Sequence, residues 1–277
     1  MVVSASHGEG RGDARADESS PRLPDAVIWH DLECGTYTAD LALWRELTDD
    51  ACTGIAPAPG SGLGRVLDVG AGTGRVALAL AHAGHRVTAI DLDAELLEAL
   101  RARAAGLDIE TVRADARLFE LDRRDFALCL APMQTLQLLG GAMGRLEFMR
   151  QARAHLAPGG LLACAIVTEI DPFDCDADDL GPSPEVTRIA GATYISRATR
   201  VLVDGRVVRI ERERGIVPRG RTAAREPAWE HDVIELDRVS VAQLQHEGHE
   251  AGLTAAGTRL IAATDEHTAS VVVVFHA

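Results

Sequence analysis

Lysine is missing from this chain: all 28 of its basic residues are arginine. That excludes an internal Schiff base and the lysine of a phosphate-binding P-loop, both of which need a primary amine. Although 47% of the residues are hydrophobic, no uninterrupted apolar run approaches the roughly 18 to 20 residues that cross a bilayer. A soluble, cytoplasmic protein with no membrane association is expected, and residues 1–24, which lack an apolar stretch, read as a flexible tail in place of a signal peptide. The five cysteines, Cys34, Cys52, Cys129, Cys164 and Cys175, form no C-x-x-C pair and have no histidine at zinc spacing. Reduced, mostly buried thiols are expected, and no metal site. Positive charge is also scarce: 42 acidic residues against 28 basic give a formal charge of −14, a field that repels nucleic acid and anionic lipid.

The 277 residues suffice for one substantial core with additions. After the tail (1–25), helical spacing of Leu41, Leu43, Trp44 and Leu47 predicts an N-terminal helical cap over 26–55. A Gly/Pro/Ser-rich connection at 53–63 follows. Strands are then predicted at 65–69, 86–90, 108–112, 126–130 and 161–167. Helices alternate with them, and Pro158-Gly159-Gly160 forms a turn into the last strand. This order specifies an α/β, Rossmann-like doubly wound, mostly parallel sheet over 56–168. The alternation stops at 169–238, where antiparallel strands are expected around the hairpin signal Asp204-Gly205. A helix and an antiparallel hairpin at 239–277 complete the core.

The informative segment is Asp68-Val69-Gly70-Ala71-Gly72-Thr73-Gly74, a strand running into a glycine-rich turn and then a helix. Gly70 and Gly72 permit torsions and close approach that a Cβ would block, and Gly74 lets the helix start near the sheet. Asp91 ends the second strand, where a carboxylate can accept from both ribose hydroxyls of an adenosine. These features suit either a nicotinamide dinucleotide or S-adenosylmethionine. A dinucleotide fingerprint would put its third glycine at 75, where Arg75 stands. Asp68 would repel a pyrophosphate but suits the cationic amino group of a methionine moiety, directly or through water.

Over residues 65–167 the chain resembles the class I S-adenosylmethionine-dependent methyltransferases, in their small-molecule branch. Asp68 to Gly74 matches the family's first motif, Asp91-Leu92-Asp93 its ribose-binding acidic motif, and Ala114-Asp115-Ala116 the stretch beside adenine. Leu156-Ala157-Pro158-Gly159-Gly160-Leu161 matches the turn before the fifth strand. The resemblance implies S-adenosylmethionine as cofactor, with Asp68, Gly70, Ala71, Gly72, Gly74, Asp91 and Ala116 around it. It also implies that Leu92 packs on adenine, Asp115 accepts from the exocyclic amine, Ala131 lines the cofactor and Tyr37 closes over the methionine end. A nicotinamide-dependent oxidoreductase and a protein that binds S-adenosylmethionine without turnover remain alternatives.

Methyl transfer needs an acceptor lone pair aligned with an already activated methyl, and water kept out. A hydroxyl or ammonium acceptor further benefits from a base. His30 is the first candidate base and His231 the second, while Gln134, just past the fourth strand, is the candidate for holding a small-molecule acceptor. His246 and His249 share a helix face but lack a third ligand, so they are read as solvent-facing. Residues 131–134, Ala-Pro-Met-Gln, depart from the Asn/Asp-Pro-Pro-aromatic pattern of enzymes that methylate DNA bases or glutamine. No Asp-Asn pair follows the fifth strand, where catechol-type relatives hold magnesium. The inserted strands at 169–238 read as a lid or dimerisation flap, which makes a homodimer an expected option.

Overall fold

The computed structural model describes residues 23–54, 64–177, 181–218, 228–264 and 267–277. Most of the expected tail and of the Gly/Pro-rich connection lies outside them. The chain enters on α1 (Asp25–His30), which follows Pro24 at the N-cap, with φ of −54° and ψ of 144°. The helix widens into a π-helical turn, Asp31–Gly35, before α2 (Leu41–Gly54). The core then runs β1 (Arg65–Val69), α3 (Arg75–His82), β2 (Arg86–Asp91), α4 (Ala94–Arg103), β3 (Ile109–Arg113), β4 (Phe126–Ala131), α5 (Gly141–His155) and β5 (Leu156–Ile166). Asp93 caps α4 by accepting from the Glu95 and Leu96 amides, as its place before an apolar stripe predicts.

Beyond the core come β6 (Phe173–Asp174), β7 (Glu185–Ile189), β8 (Ala192–Val203), β9 (Val207–Pro218) and β10 (Ala228–Asp237). Then follow α6 (Val241–Glu250), β11 (Thr254–Ile261) and β12 (Ser270–His276). Seven strands form one sheet in the order β11-β12-β5-β4-β1-β2-β3. The pairs from β3 to β5 are parallel, while β12 lies antiparallel to β5 and to β11. This is the doubly wound sheet with a C-terminal antiparallel hairpin that the element order specifies. Every residue of β4 is buried, as a central strand with helices on both faces requires. Trp44, Leu80 and Leu100 pack on one face, and Phe148, Met149 and Leu244 on the other. Among the described residues no helix is long and apolar enough to cross a membrane.

The other five strands form a separate antiparallel sheet, β10-β9-β8-β6, with β7 also on β8. The cap lies between the two sheets. Val27 packs on Leu96 and Ala99 of α4, while Ile28, Trp29 and Leu32 pack on Tyr194 of the inserted sheet. On its return to the core the chain is held at Asp237 and Glu247, both of which accept from the buried Arg145 guanidinium at 2.7–2.9 Å.

Three local expectations change. The Asp204-Gly205 hairpin exists, but Gly205 is not in the left-handed region. Instead the Asp204 carboxylate accepts from the Arg206 and Val207 amides at 2.6 and 2.8 Å, so a side chain shapes the turn. Ala190 and Gly191, with φ of 50° and 78°, make a tighter hairpin between β7 and β8. No glycine-asparagine signal announces it, and β7 was not expected. The Pro158-Gly159-Gly160 turn lies within β5 itself: Gly159 has φ of 79°, and the pairing with β4 shifts register between Phe126 and Leu128. It acts as a bulge that lets the strand start at Leu156.

Candidate active site

The strand order reverses beside β1, where ligands bind in open α/β sheets. A cavity of about 520 Å³ opens there. Gly70, Gly72 and Gly74 take φ of 75°, 54° and 96°, angles that strain any residue with a Cβ. The amides of this turn are already engaged. Gly70 and Ala71 donate to the Ile90 carbonyl at 2.9 and 3.0 Å, Gly74 to the Ala71 carbonyl at 2.9 Å, and Gly72 to Asp91 Oδ2 at 2.8 Å. A pyrophosphate cradle needs such amides free to face the anion, so the turn shapes a cavity without forming a phosphate nest.

Asp68 lines the cavity and is 1% exposed, with no normal hydrogen bond to either carboxylate oxygen. Burial pushes its pKa up to about 7, against the pull of the nearby Arg75 guanidinium, and the charges of Asp91 and Asp40 raise it further. Arg75 does not pair with it. Its fork is held by Asp40, with 2.8 Å from Nη2 to Oδ2, and by the Tyr37 carbonyl at 2.9 Å. A buried carboxylate without a partner is costly unless a donor arrives. The ammonium group of S-adenosylmethionine is such a donor, and this orphaned acid is where the residues present fit that cofactor.

Asp91 sits at the end of β2. Its Oδ1 accepts from the Asp93 amide at 2.9 Å and its Oδ2 from Gly72, which leaves one lone pair on each oxygen for a further donor. Beside it Leu92 is 63% exposed and lines the same cavity, as do Ala71 and Ala116. Asp115 lines it too, gripped by a residue that sequence reasoning missed. Arg117 donates from Nε to Oδ1 at 2.9 Å and from Nη2 to Oδ2 at 2.6 Å. That side-chain grip, with the Arg117 amide, holds the Asp115 carboxyl below its ordinary pKa. Across the cavity stand Pro132, Met133, Gln134, Thr135 and Leu138. Met133 has φ of 53°, and a Cβ on Gly70 would meet Thr135 at 2.6 Å.

His30, from the end of α1, lines the cavity, and its imidazole lies directly over Gly72. A Cβ added to Gly72 would run into His30 Nε2 and Cε1. The glycine therefore makes room for the cap, where the sequence suggested room for a ligand. Burial lowers the His30 pKa below its ordinary value, while Asp31, Asp91 and Glu33 pull the other way. Nδ1 lies 3.3 Å from Thr73 Oγ1, whose hydroxyl donates to Asp31 at 2.7 Å. Asp31 is paired in turn with Arg103. Nothing in the spacing of residues 30, 31, 73 and 103 reveals this cluster, because α1 reaches the turn only through tertiary packing.

Other expected residues lie elsewhere. Tyr37 is 7% exposed, and its ring packs between the Arg75 guanidinium, 5.1 Å away, and the His267 ring at 4.6 Å. Ala131 is fully buried at the end of β4. Gly74 backs onto Leu100. His231 is on β10 opposite Glu213, lining a separate 370 Å³ hollow on the inserted sheet with Arg197, Arg200 and Glu211. Cys52, Cys129 and Cys164 are buried, Cys34 is half-buried on the cavity wall and Cys175 is exposed.

Residues 66–160 match the model of a family described as methyltransferase domain. The chain is 34% identical over 114 residues to the cypemycin N-terminal methyltransferase of a Streptomyces species, covering 40% of this chain and 46% of that protein. It therefore spans about half that relative's length. It is 32% identical over 142 residues to a probable cobalt-precorrin-6B C(15)-methyltransferase (decarboxylating) of Methanothermobacter thermautotrophicus, covering 49% of this chain and 71% of that protein. Among solved structures, a sugar N-methyltransferase from a Streptoalloteichus species superposes with a TM-score of 0.64 at 17% identity, covering 99% of both chains. At that identity the likeness is one of fold, and it extends through the inserted sheet.

Proposed function

The chain belongs to the class I S-adenosylmethionine-dependent methyltransferases, and from that premise we propose that it methylates the nitrogen or oxygen of a small molecule, with an amine as the favoured acceptor. The observation that carries the choice of acceptor is the charge around the cavity. Asp68, Asp91 and Asp115 line it, whereas both guanidinium groups among the described lining residues are already paired, Arg75 with Asp40 and Arg117 with Asp115. An anionic acceptor would find no free cation there, whereas a cationic or neutral one meets the carboxyl groups of Asp68 and Asp91. One of the similar solved structures is named a sugar N-methyltransferase, which agrees with this reading.

S-adenosylmethionine supplies the activated methyl; the protein's share is to bind, orient and exclude water. In this reading Asp68 takes the ammonium of the methionine moiety, Asp91 the ribose hydroxyls, and Leu92 and Ala116 flank the adenine, with Asp115 at its amine. Gln134 and Thr135 hold the acceptor opposite. Burial keeps His30 neutral at pH 7, so it can take a proton from an acceptor ammonium or hydroxyl. His231, Tyr37 and Ala131 have no direct part in the proposal.

The test is calorimetry with S-adenosylhomocysteine and NADH, followed by methyl-transfer assays on matched amines, alcohols and carboxylic acids. Binding of the homocysteine compound and turnover of amines first is expected. Tight NADH binding with none of S-adenosylhomocysteine would sink the proposal, and carboxylates as the best acceptors would sink the charge argument.

A further inference from the structure

We propose that Thr73 is a positioning residue for His30: its hydroxyl accepts the His30 Nδ1–H and so leaves Nε2, the nitrogen lying over Gly72, as the unprotonated one. The inference rests on His30 being the base in the reading above. It follows from counting protons along the cluster. Asp31 receives both prongs of the Arg103 fork, at 2.9 Å on Oδ1 and 2.5 Å on Oδ2. A carboxylate so paired is ionised and can only accept.

Thr73 Oγ1, 2.7 Å from Asp31 Oδ1, must direct its one proton there. Toward His30 Nδ1, 3.3 Å away, the same oxygen has only lone pairs to offer. The contact is therefore a hydrogen bond only if Nδ1 carries the hydrogen. In water a neutral imidazole prefers its proton on Nε2, so the Arg103–Asp31–Thr73 chain selects the less common tautomer. It resembles the way a carboxylate orients a catalytic histidine, with a hydroxyl interposed.

The consequence is chemical. With Nδ1 protonated, Nε2 accepts the proton leaving an acceptor ammonium. That frees the acceptor's electron pair to form the new N–C bond, while the pair of the breaking C–S bond stays on sulfur. A histidine with the opposite tautomer would present an N–H to the same space and could not act as the base. The groups facing His30 are Asp31 and Glu33 from its own segment, Asp91 from the end of β2 and Arg103 from α4. None of the carboxylates among them has an Nδ1 contact in place of Thr73.

The tautomer is read directly by long-range proton–nitrogen NMR on the full chain without cofactor at pH 8, with His30→Gln identifying the signals. A protonated Nδ1 is expected in the wild type. In Thr73→Val, which keeps the shape and loses the hydroxyl, the proton should move to Nε2, and Thr73→Ser should restore it. In turnover of an amine, Thr73→Val should lower kcat about tenfold with the KM for S-adenosylmethionine little changed and the acid limb of the pH profile displaced. Protonated Nε2 in the wild type, or an unmoved tautomer in a folded Thr73→Val, overturns the assignment. If the tautomer moves as expected while His30→Gln keeps full turnover, the general-base reading falls and the hydrogen-bond assignment stands.

Discussion

In the seven-stranded sheet β1, β2 and β4 are buried on both faces along nearly their whole length. In the inserted sheet, β8 and β9 carry arginines, and β9 and β10 carry acidic residues, among apolar ones. There Arg197 pairs with Glu213, Arg200 with Asp174, and Arg209 with Glu211 and Glu235. The first is assembled by removing hydrocarbon from water, worth roughly 25 cal/mol per Å². The second has a smaller apolar cluster, Val201, Val208 and Leu236, adds charges laid across its strands, and is joined to the rest through the cap. Its main anchor is Glu33, 7% exposed in its side chain, which receives the Arg214 fork at 2.7 Å from both Nε and Nη2. The two regions therefore respond oppositely to pH, and each has one carboxylate that reports it.

The sharpest way to break the contrast is at the point where the regions meet. Gly72→Val places a side chain where His30 sits, so the cap must lift from the glycine turn. S-adenosylhomocysteine affinity should fall by about 100-fold or more, measured by calorimetry, with a lowered melting temperature. Glu33→Ala leaves Arg214 and Arg212 half-buried and short of a partner. About 3 kcal/mol of stability should be lost in urea titrations, on the precedent of buried pairs broken from one side. Unchanged stability would mean that apolar packing by Trp29 and Tyr194 holds the sheet alone.

If Asp91 holds the ribose as proposed, Asp91→Ala removes its two acceptors together with the Gly72 amide's partner, and should weaken S-adenosylhomocysteine by about 1.5–3 kcal/mol. Equal affinity in that variant would contradict the ribose assignment. The two carboxylates then separate by pH. For Asp68 the folded pKa is raised from 3.8 to about 7. Its contribution to stability is thus present below the unfolded value and lost as pH rises from about 4 through 7. Asp68→Asn should flatten the stability curve over that interval. Binding of S-adenosylhomocysteine to the wild type near pH 6.5 should release protons, seen as a buffer-dependent enthalpy that the variant lacks.

Glu33 runs the other way. Burial alone would raise its pKa, but the Arg214 hydrogen bonds and the Arg212 and Arg214 charges more than offset this and lower it. Its contribution is present above the unfolded value of 4.5 and lost as pH falls through the folded one. Glu33→Gln should remove that acid loss. The smallest effect is expected on the outer face of the inserted sheet. Arg197, 44% exposed, pairs with Glu213 and lies over the Trp229 ring. Arg197→Ala should cost at most about 1 kcal/mol in the same urea titrations, and a larger loss would make that face part of the structural core.

The glycine turn and the acids beside it were legible because their signals are local. The turn from Asp68 to Gly74 needs glycines where φ is positive, Asp91 ends a strand, and Asp93 caps a helix. Each requirement is met within a few residues of chain. The alternation of β1 to β5 with helices specified a parallel sheet for the same reason. What spacing could not show is the Arg75–Asp40 pair that leaves Asp68 alone, the Arg117 fork on Asp115 and the descent of His30 onto Gly72. Tyr37, read as a group over the methionine end, is instead buried against Arg75 and His267, and His231 points to another hollow.

By itself, the amino-acid order determined the sheet, the glycine turn and the acids that flank it, since local torsions and a repeating apolar pattern are properties of short stretches. Tertiary structure alone decided which of those acids is left without a partner, which histidine reaches the cavity and which nitrogen of that histidine is protonated. Those outcomes depend on burial and on partners tens of residues away, brought within hydrogen-bond reach only when the cap closes between two sheets.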